Sequence, residues 1–416
     1  NRKIGLRMYD PYDYMIKEWT PTQIHNLSVS GLTGKTNYNL GFGIMDQSGM
    51  NKAAKEDNFK RYNGSIQLGT EVNKWLKINA GTIFSNRTKN YPYATSSTTA
   101  DPWLYLYRWA ATYPMTTEDG DPIRSPASEV AAANTAFQET NYTSLNGGFT
   151  ITTTKEWTIK FDYTHANQEF INKNPGTRFT ARDSWSAAVP KLDGNGNRIY
   201  VNDAGQVVSS TDPGALPGYQ LNYLTYTGSG ANPDHVYCMA QNEKWNTINL
   251  FTTYDLNLDE NQNLRFMLGM NRVGYELANN WSQLTQLTDY SNPQFSLATG
   301  TPTVGGNEYW DSQLGFFGRV NYNFREKYLL EANLRYDGSS KFPDDLKWRW
   351  FPSFSAGWRL NQESFMDWSK SFLNDLKIRG SWGSIGDQSV GNDLYVPTMT
   401  GSFNNWVIGN SKLYQF

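Results

Sequence analysis

Cysteine is nearly absent. Cys238 is the one thiol in 416 residues, which rules out an intrachain disulfide framework and leaves nothing for a zinc or iron–sulfur site, so it reads as a small, partly buried side chain. Histidine is almost as scarce: His25, His165 and His235 lie far apart in sequence, lack metal-ligand spacing, and read as solvated or hydrogen-bonding groups. No apolar run approaches the ~20 residues of a membrane-crossing helix, which excludes helical membrane proteins and leaves spanning by strands open. Charge of one sign is also lacking. With 37 Lys and Arg against 39 Asp and Glu the net charge is −2, so no basic stripe points to nucleic acid. The G-x-S-x-G elbow, the H-E-x-x-H zinc helix and the P-loop are all missing. Carboxylate pairs such as Asp344 with Asp345, or Asp259 with Glu260, fall in expected loops or turns, where solvated charge is the ordinary reading. An enzyme is therefore not expected, and no cofactor is indicated.

What is present is aromatic and alternating. Aromatics make up 15% of the chain and hydrophobics only 38%, with 35 glycines; a large compact core would want more Val, Ile and Leu. The mixture suits strands that are apolar on one face, joined by wet loops, with amphipathic rings at interfaces. In "YLLEANLRYDGSSKF" (328–342), Tyr328, Leu330, Ala332, Leu334 and Tyr336 fall on one side and Glu331, Asn333, Arg335 and Asp337 on the other, because successive strand side chains point to opposite faces. The same alternation marks Tyr38 to Ile44 and Trp157 to Tyr163. Similar runs cover roughly 23–31, 59–69, 75–86, 147–153, 246–258, 264–275, 313–324, 348–360 and 375–383, about twelve strands in all.

The connections between these runs alternate in length. Short ones at 32–35, 70–74, 154–156, 259–263 and 325–327 separate long ones at 46–58, 87–146, 166–245, 276–312 and 338–347, with 361–374 as a longer, helical turn on the short side. Such alternation is expected of an antiparallel up-and-down transmembrane β-barrel with tight turns on one rim and long extracellular loops on the other. A sandwich gives no reason for it, and its loops rarely reach this length.

These residues carry a resemblance. "HNLSVSG" (25–31), "TNYNLGFGIMDQSGM" (36–50), "FKRYNGSIQLGTEVNKWLKINAGTIFS" (59–85), "YLLEANLRYDGSSKFPDDLKWRWFPSFSAGWRLNQESFM" (328–366) and "LNDLKIRGSWGSIGDQSVGND" (373–393) resemble, in order and on predicted strands, the barrel of the SusC/RagA family of TonB-linked outer-membrane transporters. The resemblance implies an all-β fold, a partial barrel of about 12 of roughly 22 strands. It implies a SusD-like surface lipoprotein as lid, an N-terminal plug that meets TonB, and an outer membrane of a Gram-negative, Bacteroidetes-like cell. The expected function is import of oligosaccharides or peptides, without covalent chemistry. Residues 1–22 then read as the end of the first extracellular loop and 23–416 as the barrel segment. The plug, the TonB box and any signal peptide are expected to precede Asn1, and aromatic Phe416 reads as a break and not an assembly signal. The alternative is a secreted all-β carbohydrate-binding or adhesive protein whose tyrosines form a sandwich core. A glycoside hydrolase would need a convergent carboxylate pair.

Several residues stand out as candidates. In "DPWLYLYRWAATYP" (101–114), Trp103, Tyr105, Tyr107 and Trp109 are flat amphipathic rings suited to stacking on cargo or covering the lid, or else to packing a local loop core. Tyr328, Tyr336, Trp348, Trp350 and Trp358 are placed at the membrane interfaces, and Arg319, Glu331, Arg335, Asp337, Arg359 and Arg379 on the polar, lumen-facing side, pairing among themselves and with a plug. In "LDGNGNRIYVNDAGQVV" (192–208), Asp193, Asn195 and Asn197 alternate as in a calcium loop, but Arg198 replaces the needed Gly and Ala204 the bidentate Glu. A hairpin pairing 198–202 with 206–210 across Asp203, Ala204 and Gly205 is expected instead.

Overall fold

The computed structural model describes residues 8–93, 102–109, 111–117, 120–183, 187–227, 234–392, 394–397, 399, 402–408 and 411–415; Asn1 and Phe416 lie outside the described residues. Its frame is a twelve-stranded antiparallel sheet whose spatial order is its chain order. The first six strands are β1 (Thr22–Thr33), β2 (Thr36–Ser48), β3 (Asn58–Glu71), β4 (Leu76–Tyr93), β5 (Asn134–Thr152) and β6 (Trp157–Pro175). The next six are β7 (His235–Asp259), β8 (Gln262–Thr285), β9 (Thr303–Phe324), β10 (Tyr328–Ser339), β11 (Trp348–Arg359) and β12 (Lys377–Gly383). The sheet is open, with β1 and β12 as its edges.

Each of the twelve strands read from alternation lies where one is found, and the connections keep their alternation. One rim carries 34–35, 72–75, 153–156, 260–261, 325–327 and the longer 360–376; the other carries 49–57, 94–133, 176–234, 286–302 and 340–347. The exception at 360–376 holds two 3-10 turns, Leu360–Gln362 and Ser364–Ser369. The long loops are shorter than alternation suggested, because strands invade them. β4 runs on to Tyr93, β5 begins at Asn134, and β6 to β9 continue through 166–175, 235–245, 276–285 and 303–312. Strands reach 25 residues in β7, where ~9–11 suffice to cross a bilayer, so the sheet stands well clear of the membrane on the long-loop rim.

Register fixes the faces. Tyr328, Leu330, Ala332, Leu334 and Tyr336 of β10 stand opposite Trp358, Ala356, Phe354, Pro352 and Trp350 of β11, and opposite Phe324, Tyr322, Val320, Gly318 and Phe316 of β9. Among the described residues this apolar face has no second layer of protein. Leu27 is 65% exposed, Leu268 64% and Trp382 63%, which a soluble sandwich would not tolerate over a whole sheet but a lipid-facing wall requires. A buried apolar cluster sits in the outer loops, where Met15, Ile16, Trp109, Met115 and Ala127 meet.

The roots of three outer loops are tied at Asn134. Its amide donates to the carbonyls of Gly176 and Tyr290, both at 2.8 Å, while its backbone N–H reaches the Thr177 hydroxyl, which donates to the Tyr93 carbonyl at 2.6 Å. Asn134 is 9% exposed, so truncation would strand buried carbonyls at a cost of about 1–3 kcal/mol. Asn134→Ala is expected to speed proteolysis within the outer loops while the melting of the barrel holds; equal loss of both would contradict a role confined to the loops.

The inner part of the expected hairpin forms, with Val201 opposite Val207, Tyr200 opposite Val208 and Gly205 at φ 78°, while Arg198 bridges to Leu192 instead of extending it. Leu216–Pro217 adds a third strand to it. The Asp193 carboxylate accepts the backbone N–H groups of Asn195 (2.9 Å) and Asn197 (2.8 Å), so it caps its own turn.

Candidate functional site

The richest cluster of side chains lies on the polar face near the long-loop rim. Odd-numbered residues of β7, β8 and β9 share that face, and register brings Trp245 opposite Tyr275 and Tyr275 opposite Asp311. The rings of Trp245 and Tyr275 are 5.3 Å apart and those of Tyr275 and Tyr309 5.7 Å, edge to face. With Val273, Asp311, Gln313, Lys341 and residues 390–392 they line a cavity of about 710 Å³, within the ~300–1,000 Å³ typical of ligand sites. Asp311 lies five residues above Phe316, the partner of Tyr336, so the cavity sits roughly 15 Å along the strands beyond the outer aromatic rim.

Polar groups frame the rings. The Tyr275 hydroxyl donates to Glu243 at 2.7 Å, and Glu243 also accepts from the amides of Gln241 at 2.7 Å and Gln168 at 3.2 Å. Lys341 pairs with Asp311 at 3.7 Å and donates to the Val390 carbonyl at 3.1 Å. Asn392 donates to the Trp310 carbonyl at 3.4 Å, so residues 388–392 form one side of the cavity. Flat rings beside a carboxylate and amides can hold a ring or an extended chain that offers both apolar faces and hydrogen-bonding edges.

Alternation places 166–245 and 276–312 in loops and so conceals Trp245 and Tyr309. A signal existed: Trp245 and Tyr275 occupy the polar parity of their strands, beside Glu243 and Asn271, where a barrel wall has no structural need of large rings.

The polar-face candidates divide into pairs. The Arg319 guanidinium donates to Asn333 at 2.6 Å, and Asn333 donates to Glu331 at 2.8 Å. Arg335 grips Asp337 with two hydrogen bonds of 3.0 and 2.9 Å and lies over the Phe317 ring. Arg359 reaches Glu326 of the short turn at 3.8 Å, and Arg379 shares the face opposite Gly357.

On the apolar face the aromatics form two bands. Tyr336 is stacked between Trp348 (4.9 Å) and Trp350 (4.3 Å). The Trp348 ring lies where a Cβ on Gly338 would stand, 2.7 Å away, so glycine is required there. Tyr328 stacks on Trp358 at 6.3 Å and on Phe324 at 6.1 Å. One carboxylate satisfies the polar tips of this second band: Glu363 accepts from the Tyr328 hydroxyl at 2.8 Å, the Trp358 indole at 3.1 Å and Lys327 at 3.3 Å.

Glu363 belongs to the short-turn rim, and its carboxyl is held below the usual range, first by Tyr328, then by Trp358 and Lys327. A lowered value means that the fold favours the carboxylate, so the contribution is complete above the ordinary glutamate pKa near ~4.3 and is lost as pH falls through the lower folded value. The gap in melting temperature between the wild type and Glu363→Gln is expected to close in that acid window. A gap that persists there would show that charge is not what matters.

The aromatics of 101–114 do not form one surface. The helix Pro102–Arg108 exposes Trp103 by 58% and Tyr107 by 72%, whereas Trp109 is 4% exposed. Trp109 donates its indole N–H to the Tyr113 carbonyl at 3.2 Å and packs in the loop core, so it is a packing residue and not a free contact ring. The Tyr105 side chain lies outside the described residues.

Asp344, 97% exposed, pairs with Lys347 at 2.6 Å, and Asp259 caps its turn through Asn261. His165 meets Asn246 at 2.9 Å, and His235 packs edge to face on Tyr93. Among the described residues no group of three metal-ligating side chains gathers.

No family model matches the chain. It is 25% identical over 405 residues, 95% of its length, to the TonB-dependent receptor SusC of Bacteroides thetaiotaomicron, and spans 36% of that protein. It is 25% identical over 396 residues to the TonB-dependent receptor P26 of Formosa agariphila, covering 92% of the chain and 35% of that relative. The chain thus spans just over a third of these relatives. Among solved structures, the RagAB peptide transporter matches 98% of the chain and 41% of its own, with a TM-score of 0.67 and 18% identity. Shared sequence over nearly the whole chain, and the shared fold, place it in the outer membrane: the chain is similar, as a barrel segment, to TonB-dependent receptors of the SusC and RagAB kind.

Proposed function

We propose that the chain forms part of the wall of a TonB-dependent importer for oligosaccharides or peptides, capped by a SusD-like surface lipoprotein. The observation that carries this reading is the ring-lined cavity of Trp245, Tyr275 and Tyr309 on the polar face, above the outer aromatic band. It stands where cargo entering from the long-loop rim first meets the wall. No bond need be made or broken; cargo is held, a plug moves under TonB, and a path opens.

Residues 1–22 would close the first outer loop and 23–416 form barrel and loops. Supporting this, Met15 and Ile16 pack with Trp109 and Met115 of another outer loop, and β1 starts opposite Gln47 on the long-loop rim. Trp103 and Tyr107 are exposed in those loops and suit the underside of a lid. The polar-face charges Arg319, Glu331, Arg335, Asp337, Arg359 and Arg379 would line the passage and meet the plug.

The test is to fractionate cells expressing the full-length protein, solubilise the outer membrane in mild detergent, and identify what co-purifies by mass spectrometry. A surface lipoprotein in the complex, with loss of growth on a defined glycan or peptide when the gene is deleted, is the expected result. Purification without a lipoprotein, and growth unaffected on both, would contradict it.

A further inference from the structure

The apolar face is not uniformly padded. Across β10, β11 and β12 it carries a run of small residues, Ala332, Ala356 and Gly380, linked by register: Ala356 pairs with Gly380 on one side and with Leu330 on the other, and Ala332 pairs with Phe354. Large side chains rise around this floor. Tyr322 stands on β9, while Phe354 and Trp382 stack at 6.1 Å with an interplanar angle of 17°. The result is a groove of about 680 Å³. Phe354 is 54% exposed and Trp382 63%, and among the described residues nothing packs over them.

The groove's depth in the membrane follows from the aromatic bands. Ala332 is midway between Tyr328 and Tyr336, and Ala356 is two residues from Trp358 but six from Trp350. The groove therefore opens in the half of the band next to the short-turn rim. That half faces the periplasmic leaflet, because short turns lie on the periplasmic side of such barrels.

We infer that this groove retains one acyl chain of a periplasmic-leaflet phospholipid. Lipid tails are as apolar as the wall, so hydrophobic transfer does not drive the binding. Contact does. A tail against a flat wall touches protein on one side, whereas a tail lying on Ala332, Ala356 and Gly380 touches the floor and both walls, and an unfilled groove would forfeit those dispersion contacts. The neighbouring rim places Tyr328 and Trp358, whose polar tips Glu363 holds, at headgroup depth.

The full-length protein, purified from outer membranes in mild detergent and washed by detergent exchange, would have its lipids extracted and quantified by mass spectrometry. Stoichiometric phospholipid is expected on the wild type. A Cβ on Gly380 meets nothing within 4 Å, so the backbone there admits a side chain; Gly380→Leu and Ala356→Leu are expected to fill the groove and lose the lipid. Leu268→Ala, on the same face but outside the groove, is expected to keep it. Heat-modifiable gel mobility checks that each variant is folded. A wild type without bound phospholipid, bound outer-leaflet glycolipid in its place, or retention by both filled variants would overturn the inference. So would a filled variant that changes only from dimer to monomer, because a second copy would then be the occupant.

Discussion

Val320→Arg is expected to remove about 2–4 kcal/mol from barrel stability, the cost of an arginine on the lipid face near the bilayer midplane. Val320 sits on β9 opposite Ala332, itself midway between the two aromatic bands. The adjacent Asn321 is the control. It stands opposite Glu331 on the polar face, so Asn321→Arg gains a partner of opposite charge and should stay within about 0.5 kcal/mol of the wild type. Two arginines one residue apart are thus expected to differ by orders of magnitude in folded population. Urea unfolding in lipid vesicles, read by heat-modifiable mobility, measures both. Equal effects would mean that the two faces share one solvent.

Trp245→Ala is expected to weaken cargo binding by about 2 kcal/mol or more, the range of a central aromatic anchor, which is roughly 30-fold in half-saturating concentration. Trp245 backs Tyr275, so its loss removes a stacking surface and also frees the Tyr275 ring to turn. Tyr275→Phe keeps the stack but deletes the hydrogen bond to Glu243, leaving the carboxylate with the Gln241 and Gln168 amides. Its effect should be smaller. Uptake kinetics in cells, with cargo identified from the purified complex, measure both variants, and barrel melting should change little because neither side chain faces lipid. Unchanged half-saturation in Trp245→Ala would remove the cavity from the import path.

Within the membrane, alternation was easy to read. In 328–336 the contrast between Leu and Tyr on one side and Glu, Asn and Arg on the other comes from two solvents, lipid and water, and a period of two is its direct record. Above the membrane both faces meet water and the contrast fades. "NQEFINKN" (167–174) and "GGNEYWDS" (305–312) are strand in the structure, yet little in them separates inside from outside. The cavity is hidden for the same reason, since two of its rings, Trp245 and Tyr309, belong to such upper segments. Trp109 shows the converse. Its neighbours Trp103 and Tyr107 share its chemistry, and only the packing of Met15, Ile16 and Met115, distant in sequence, makes one ring core and leaves the others exposed. The Glu363 contact with Tyr328 and Trp358 joins three residues from two strands and a turn, which spacing does not reveal.

The most direct measurement is a single-cysteine scan from Leu329 to Asp337 in a Cys238→Ser background, in native outer membranes. Each position is challenged with a membrane-impermeant maleimide and with a lipid-soluble one. Odd positions are expected to react from water, and even positions, from Leu330 to Tyr336, only with the lipid-soluble reagent, a strict period of two. Even positions that react freely from water, or a protection pattern without that period, would contradict a strand with lipid on one face and an aqueous passage on the other.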